Sequence, residues 1–138
     1  MLELDQWPTS RLLLTAARLV ENAWNRELSE SGLTYAGLTV LTALALHAHT
    51  KAELARTIQV QPQTIGRILD GLEHRGLIAR IPTRFNQKKQ LFALTPAGQH
   101  VLAHTVDTER RILPEDLLVA QKLRHLLQDL VTQLNRRR

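Results

Sequence analysis

The stretch TKAELARTIQVQPQTIGRILDGLEHRGLIARIPTRFNQKKQLFAL, residues 50–94, decides the fold. It opens on Thr50 with Glu53 three positions later, a capping box in which the hydroxyl satisfies the Glu53 amide and the carboxylate reaches back to the Thr50 amide. A short helix is expected from there. The next helix opens at Pro62, whose missing amide proton would have had no partner in the first turn. Ile65, Ile68, Leu69 and Leu72 recur at i, i+3, i+4 and i+7 and mark its buried face. Gln61, Gln63, Thr64 and Arg67 are left on the opposite, N-terminal surface. Gly76 supplies a left-handed stop. Residues 77–81 and 90–94 are β-prone runs joined by a polar turn carrying Arg84, Lys88 and Lys89, which predicts a hairpin with a charged tip.

The same stretch holds the net charge of the chain. It carries eight cations (Lys51, Arg56, Arg67, Arg75, Arg80, Arg84, Lys88, Lys89) against three acids (Glu53, Asp70, Glu73), and the remaining ten basic and ten acidic residues cancel. The whole-chain charge of +5 is therefore the charge of one compact unit, which points to a polyanion and first to duplex DNA. Two helices joined by a short turn place the second, residues 62–75, in a major groove. Gln63 and Arg67 are the natural base readers, for adenine and guanine respectively, while Gln61 and Thr64 suit bases and phosphates equally. Arg84, Lys88 and Lys89 would reach the backbone or the adjacent minor groove. Together these elements predict a winged helix-turn-helix.

Outward from this unit the pattern is helical. Leu12, Leu13, Ala16, Leu19, Val20, Ala23 and Trp24 predict a first helix over 10–29, broken at Ser31 and Gly32. Thr34 caps a second, which ends near His47 and buries Leu38, Leu41, Leu44 and Ala45. Thr95 and Pro96 restart a fifth helix that lasts to about Leu113, and Pro114 ends it. A sixth, residues 115–138, places Leu123, Leu126, Leu127, Leu130, Val131 and Leu134 along one side. The expected fold is mainly α with a small β-hairpin wing, a single domain over 1–138. Within it a winged-helix DNA-binding lobe spans 34–94, flanked by a helical dimerisation region at 1–33 and 95–138. A unit of forty-five residues cannot cover the outer helices, so Leu12, Leu19, Leu123, Leu127, Leu130 and Leu134 are assigned to a homodimer. The alternative is that the last helix folds back on its own subunit.

At 138 residues and 43% hydrophobic content the chain has the composition of one globular domain. It has no cysteine, hence no disulfide framework, thiolate metal site or thiol-based redox sensor. The longest mostly apolar run, residues 40–46, is far shorter than a membrane span, and Arg11 and Arg18 interrupt any signal-peptide pattern. A soluble cytoplasmic protein is expected, nucleoid-associated when bound to DNA. No nucleophile motif or glycine-rich phosphate loop is present and the acids are scattered, so neither an enzyme nor a cofactor is expected.

The strings GLT at 32–34, TKAELA at 50–55, LEHRGLI at 72–78 and LTPAG at 94–98 resemble, in order and spacing, the MarR family of bacterial winged-helix repressors. The resemblance covers nearly the whole chain. It implies a dimer built from the first and last two helices, a fourth helix that reads DNA, and a regulator that blocks promoter access; an activator would look the same. It also implies a wing with an Asp-x-Arg motif eight residues before the Leu-Thr pair. Here those positions hold Asn86 and Lys88, which keep the cation and lose the carboxylate. Gln61 stands where a capping serine is common. Two-fold symmetry implies a pseudo-palindromic operator with half-sites about 10 bp apart. Many family members bind small aromatic or phenolic acids in a cleft between the dimer helices and the DNA-binding lobe, and the resemblance implies that Trp24, His47, His100 and His104 approach such a cleft, where a small ligand could release the DNA. For Trp24, at core spacing with Val20 and Leu28, packing is the first explanation.

Two other readings stand beside this one. His100, His104 and Asp107 share one side of a continuous helix, a spacing that suits a divalent metal and a metal-responsive repressor. Boundary histidines bonded to solvent explain it too, and His47 and His49 read as surface or loop. A winged helix can also serve as a protein-association or architectural module without a specific DNA target.

Overall fold

The computed structural model describes residues 3–82, 90–113 and 118–137. A 3-10 turn at Leu4–Gln6 leads into α1 (Thr9–Leu28), which buries Trp24 and Leu28 near its end and leaves Leu12, Leu13, Leu14 and Leu19 exposed. The chain leaves α1 through a second 3-10 turn and Gly32, whose φ of 70° lies in the region glycine enters without steric cost. Thr34 then caps α2 (Tyr35–Leu46) by accepting from the Gly37 amide at 3.1 Å, and Asn25 of α1 accepts from the Tyr35 amide at 2.8 Å.

Gly37, Leu38, Val40, Leu41, Ala43 and Leu44 of α2 are buried, positions that cover well over half of its circumference, with Thr42 and Leu46 exposed on the remaining side. α2 is the post around which the other elements pack. Ala45, expected inside, is exposed, with Val40 and Ala43 buried instead. A helix apolar on nearly all sides offers no single stripe from which its inward face can be read.

Next come β1 (His49–Thr50), α3 (Lys51–Ile58), α4 (Pro62–His74), β2 (Ile78–Ile81) and β3 (Leu91–Leu94). The strands form one antiparallel sheet in the order β1-β3-β2, with His49 opposite Phe92, and Ile78 and Ile81 opposite Leu94 and Leu91. β1 was not expected. Two residues carry no periodicity, and the strand exists only because β3 pairs with it. The same pairing buries His49, which read as surface or loop from sequence.

The end of α4 is closed as expected. Gly76 takes φ 73°, its amide donates to the Glu73 carbonyl at 2.9 Å, and the Leu77 amide donates to the Leu72 carbonyl at 3.0 Å. Leu54, Ile65, Leu69, Leu72, Ile78 and Phe92 join Val40 and Leu41 in one core.

Thr95 caps α5 (Pro96–His104), accepting from the Gly98 amide at 3.1 Å while donating to the Gly76 carbonyl at 2.6 Å. The single fifth helix expected to reach Leu113 is instead two, because α6 (Val106–Ile112) starts afresh after Thr105. Both the amide and the hydroxyl of Thr105 donate to the Leu102 carbonyl, at 3.0 and 2.8 Å, so the i−4 ladder is interrupted there. α5 packs on α2, whereas α6 packs on α1, with Arg111 paired to Glu27 at 3.3 Å. α7 (Leu118–Arg136) makes at most marginal contact with the rest of its own chain.

Two outcomes follow. A Cβ at Gly98 would stand 2.3 Å from the Leu77 carbonyl oxygen and 2.6 Å from Leu94 Cδ1. Because the nearer atom is backbone, Gly98→Ala should destabilise the fold by about 1–3 kcal/mol in urea unfolding despite the better helix propensity of alanine. The Glu53 carboxyl is held below the ordinary glutamate range, first by the Thr50 hydroxyl at 2.9 Å, then by the Thr50 amide, with His49 and Arg56 adding in the same direction. A group whose pKa falls on folding stabilises above its unfolded value and loses that contribution as pH drops through the folded one. Thermal unfolding should therefore find the wild type more stable than Glu53→Gln at neutral pH, with the gap closing below the ordinary glutamate pKa.

Candidate nucleic-acid interface

The helix-turn-helix is set by the α3–α4 turn. Gln59 adopts φ 57°, a left-handed conformation uncommon for a residue with a Cβ, and the Gln59 and Val60 amides both close onto the Ala55 carbonyl. The Gln61 carbonyl accepts from the Ile65 amide at 3.1 Å, but its side chain makes no capping bond. That amide group is thereby left facing outward.

Ile65, Leu69 and Leu72 are buried, Ile68 is partly so, and Gln61, Gln63, Thr64 and Arg67 are all exposed at the N-terminal half of α4. Arg67 makes no ion pair among the described residues. Arg84, Asn86, Lys88 and Lys89 lie outside the described residues.

Two cations of the basic segment have internal work. Arg75 donates to the Ser31 carbonyl and lies against Gly32, joining the end of α4 to the turn after α1. Arg80 of β2 binds Glu73 at 2.8 Å, Gln90 at 2.7 Å and Asp70 at 4.0 Å, with its guanidinium 5.5 Å from the Phe92 ring centroid. It therefore ties α4 to both strands of the hairpin and offsets the two acids of α4. Sequence reasoning assigned Arg80 no role; its i, i+7 relation to Glu73 crosses a helix end and a turn, which no helical or strand period detects. Lys51 of α3 is also on this surface, exposed beside Gly66, and was not picked out either.

On another side of the molecule a groove of about 890 Å³ runs between α1, α2, the α3–α4 turn and α6. Trp24, Tyr35, Leu46, His49 and Val60 line it, with Glu21 and Glu109 among the polar groups. Trp24 is 93% buried from solvent by its neighbours and its ring centroid lies 5.6 Å from that of Tyr35. His47 is exposed and stacks on His49 at 4.0 Å, and it is His49 that reaches the groove. His100 and His104 do not line it. Their rings lie 4.3 Å apart on α5, and His104 Nδ1 donates to the His100 carbonyl at 2.8 Å. The break at Thr105 puts Asp107 on α6, and among the described residues no group of three or more His, Cys, Asp or Glu is placed to hold a metal. The three-ligand reading of His100, His104 and Asp107 required an unbroken helix.

The six leucines assigned to dimerisation lie on α1 and α7. Leu12, Leu19, Leu123 and Leu134 are exposed, and Leu127 and Leu130 are half-buried. No described helix is long and apolar enough to cross a membrane.

Residues 35–114, more than half of the chain, match the family model described as the HVO_A0261 N-terminal domain. No curated protein matches the chain significantly. Solved structures match it over nearly its full length. The S. aureus MepR–DNA complex superposes with a TM-score of 0.80 at 19% identity, covering 94% of this chain and 98% of that one. An E. coli MarR mutant complexed with operator DNA gives 0.76 at 22% identity, covering 94% and 98%. Sco3205, a MarR family transcriptional regulator from Streptomyces coelicolor in complex with DNA, gives 0.76 at 24% identity, covering 93% and 89%. The chain thus belongs to the family of the HVO_A0261 N-terminal domain and has the fold of the MarR-family winged-helix regulators.

Proposed function

We propose that the chain is a sequence-specific, double-stranded-DNA-binding transcriptional regulator, acting as a homodimer that represses by occupying a pseudo-palindromic operator. The observation that carries this reading is the N-terminal half of α4: Gln61, Gln63, Thr64 and Arg67 stand exposed on a helix whose other face is locked into the core. Gln63 and Arg67 read base edges, Gln61 and Thr64 position the backbone, and Arg84, Asn86, Lys88 and Lys89 supply the flanking contacts. That three structural neighbours were solved with DNA supports the DNA-binding reading. The exposed leucines of α1 and α7, and a last helix that packs little against the other described elements, support a second copy as their cover. The lobe boundaries at 34–94 follow from the same division. The groove beside Trp24 and His49 is the seat we assign to a small aromatic or phenolic effector. It would act by preferring one spacing of the two recognition helices, since the duplex fixes the half-site separation.

Fluorescence anisotropy against the duplex upstream of the protein's own gene and a scrambled duplex, across a salt series, tests the DNA reading. Selective binding is expected, with a log-log salt slope of about −5 to −9 for a dimer making roughly 6–10 phosphate contacts. Arg67→Ala should cost about 1–3 kcal/mol and relax selectivity at one position of each half-site. Equal, weak binding to both duplexes would favour the protein-association reading. Sedimentation equilibrium should give twice the 15.7 kDa chain mass, falling towards one chain for Leu127→Asp; a wild-type monomer would count against the dimer.

A further inference from the structure

We infer that Lys51 and Gly66 together form a phosphate seat on the DNA face, an assignment that rests on the DNA-binding reading above. Each residue goes against the local rule for its place. Gly66 sits in the middle of α4, where glycine is the least favourable residue after proline. Lys51 is the first residue of α3, where the positive end of the helix dipole disfavours a cation.

The two exceptions meet at one point. A Cβ at Gly66 would stand 3.1 Å from Lys51 Nζ and 3.6 Å from its Cε, so the ammonium lies over the gap the glycine leaves. Lys51 is exposed and makes no ion pair among the described residues, so no described acid accounts for its position. Unfavourable local choices on two different helices that converge on the surface mark function rather than stability.

The location fits a backbone contact. Gly66 falls within one helical side that also holds Gln63, Arg67 and Asp70, three and four positions apart. A groove of about 290 Å³ between α3, α4 and the hairpin is lined by Thr50, Lys51, Gly66, Asp70 and Arg80 among others. Arg80 offsets the carboxylate of Asp70 there. With no side chain on Gly66, the Lys51 ammonium lies flush against α4, and a phosphodiester can reach it while Gln63 and Arg67 reach the bases. Such a contact is blind to sequence.

The test repeats the salt series on operator and scrambled duplexes with Lys51→Ala, Lys51→Arg and Gly66→Ala, alongside thermal unfolding of each. Lys51→Ala should weaken binding to both duplexes by a common factor, on the order of tenfold, and flatten the slope by about 0.9 per bound protomer, while Lys51→Arg keeps the slope. Gly66→Ala should raise the melting temperature and yet weaken binding, because the methyl displaces the ammonium. Opposite signs on stability and affinity are not produced by a structural role. Wild-type selectivity with unchanged affinity and slope in Lys51→Ala, or unchanged affinity in Gly66→Ala, overturns the seat alone; a wild type that binds neither duplex overturns the DNA reading with it.

Discussion

The apolar face of α4 sets where Gln61, Gln63, Thr64 and Arg67 of the proposed interface stand. By propensity α4 is a poor helix: its N-cap side chain makes no capping bond, and Gly66 and Gly71 together cost about 2 kcal/mol relative to alanine. Ile65, Leu69 and Leu72 are buried almost completely against the core that includes Leu54 and Ile78, each contributing about 1.5–3 kcal/mol. Burial outweighs propensity by several-fold. The exposed edge is therefore free to carry residues that add nothing to stability, which is where Gln61, Gln63, Thr64 and Arg67 are found. The capping box at Thr50 and the left-handed Gln59 complete the frame by fixing α3, and with it the angle at which α4 is presented.

Charge is divided in the same way. The segment's +5 reads from sequence as one basic surface, yet Arg75 and Arg80 are turned to bonds within the chain. Arg80 pairs closely with Glu73 and stands 4.0 Å from Asp70, partly balancing the acids of α4 as it anchors the hairpin to that helix. All five described cations of the segment are exposed, but Lys51, Arg56 and Arg67 make no ion pair with a described residue. The external field is thus shaped as much by which acids are covered as by how many cations are present.

Much of this was legible beforehand, and the limits have physical causes. The caps at Thr34, Thr50 and Thr95, the start at Pro62 and the stop at Gly76 are local events, governed by residues within three or four positions, and the structure has them where the sequence places them. What escaped depends on distant partners. β1 exists through β3, the burial of His49 follows from that pairing, and the inward face of α2 is undefined without the helices around it. The break at Thr105 turns on a hydroxyl competing for one carbonyl, a choice that periodicity does not record. For the interface, the exposed edge of α4 was legible from its apolar stripe. Lys51 and Arg80 were not, since each acquires meaning only from a residue on another element.

Thr105 has a mechanical consequence. α5 is fitted to the hairpin side, with Gly98 seated on the Leu77 carbonyl, while α6 is tied to α1 through Arg111 and Glu27. The chain passes from α1 to α2 at the turn around Gly32 and from α5 to α6 at Thr105. Any tilt of α1 and α6 against the hairpin and α4 would have to be taken up at those two crossings, so a change of shape at the groove beside Trp24 and at the exposed edge of α4 would meet in the same two turns.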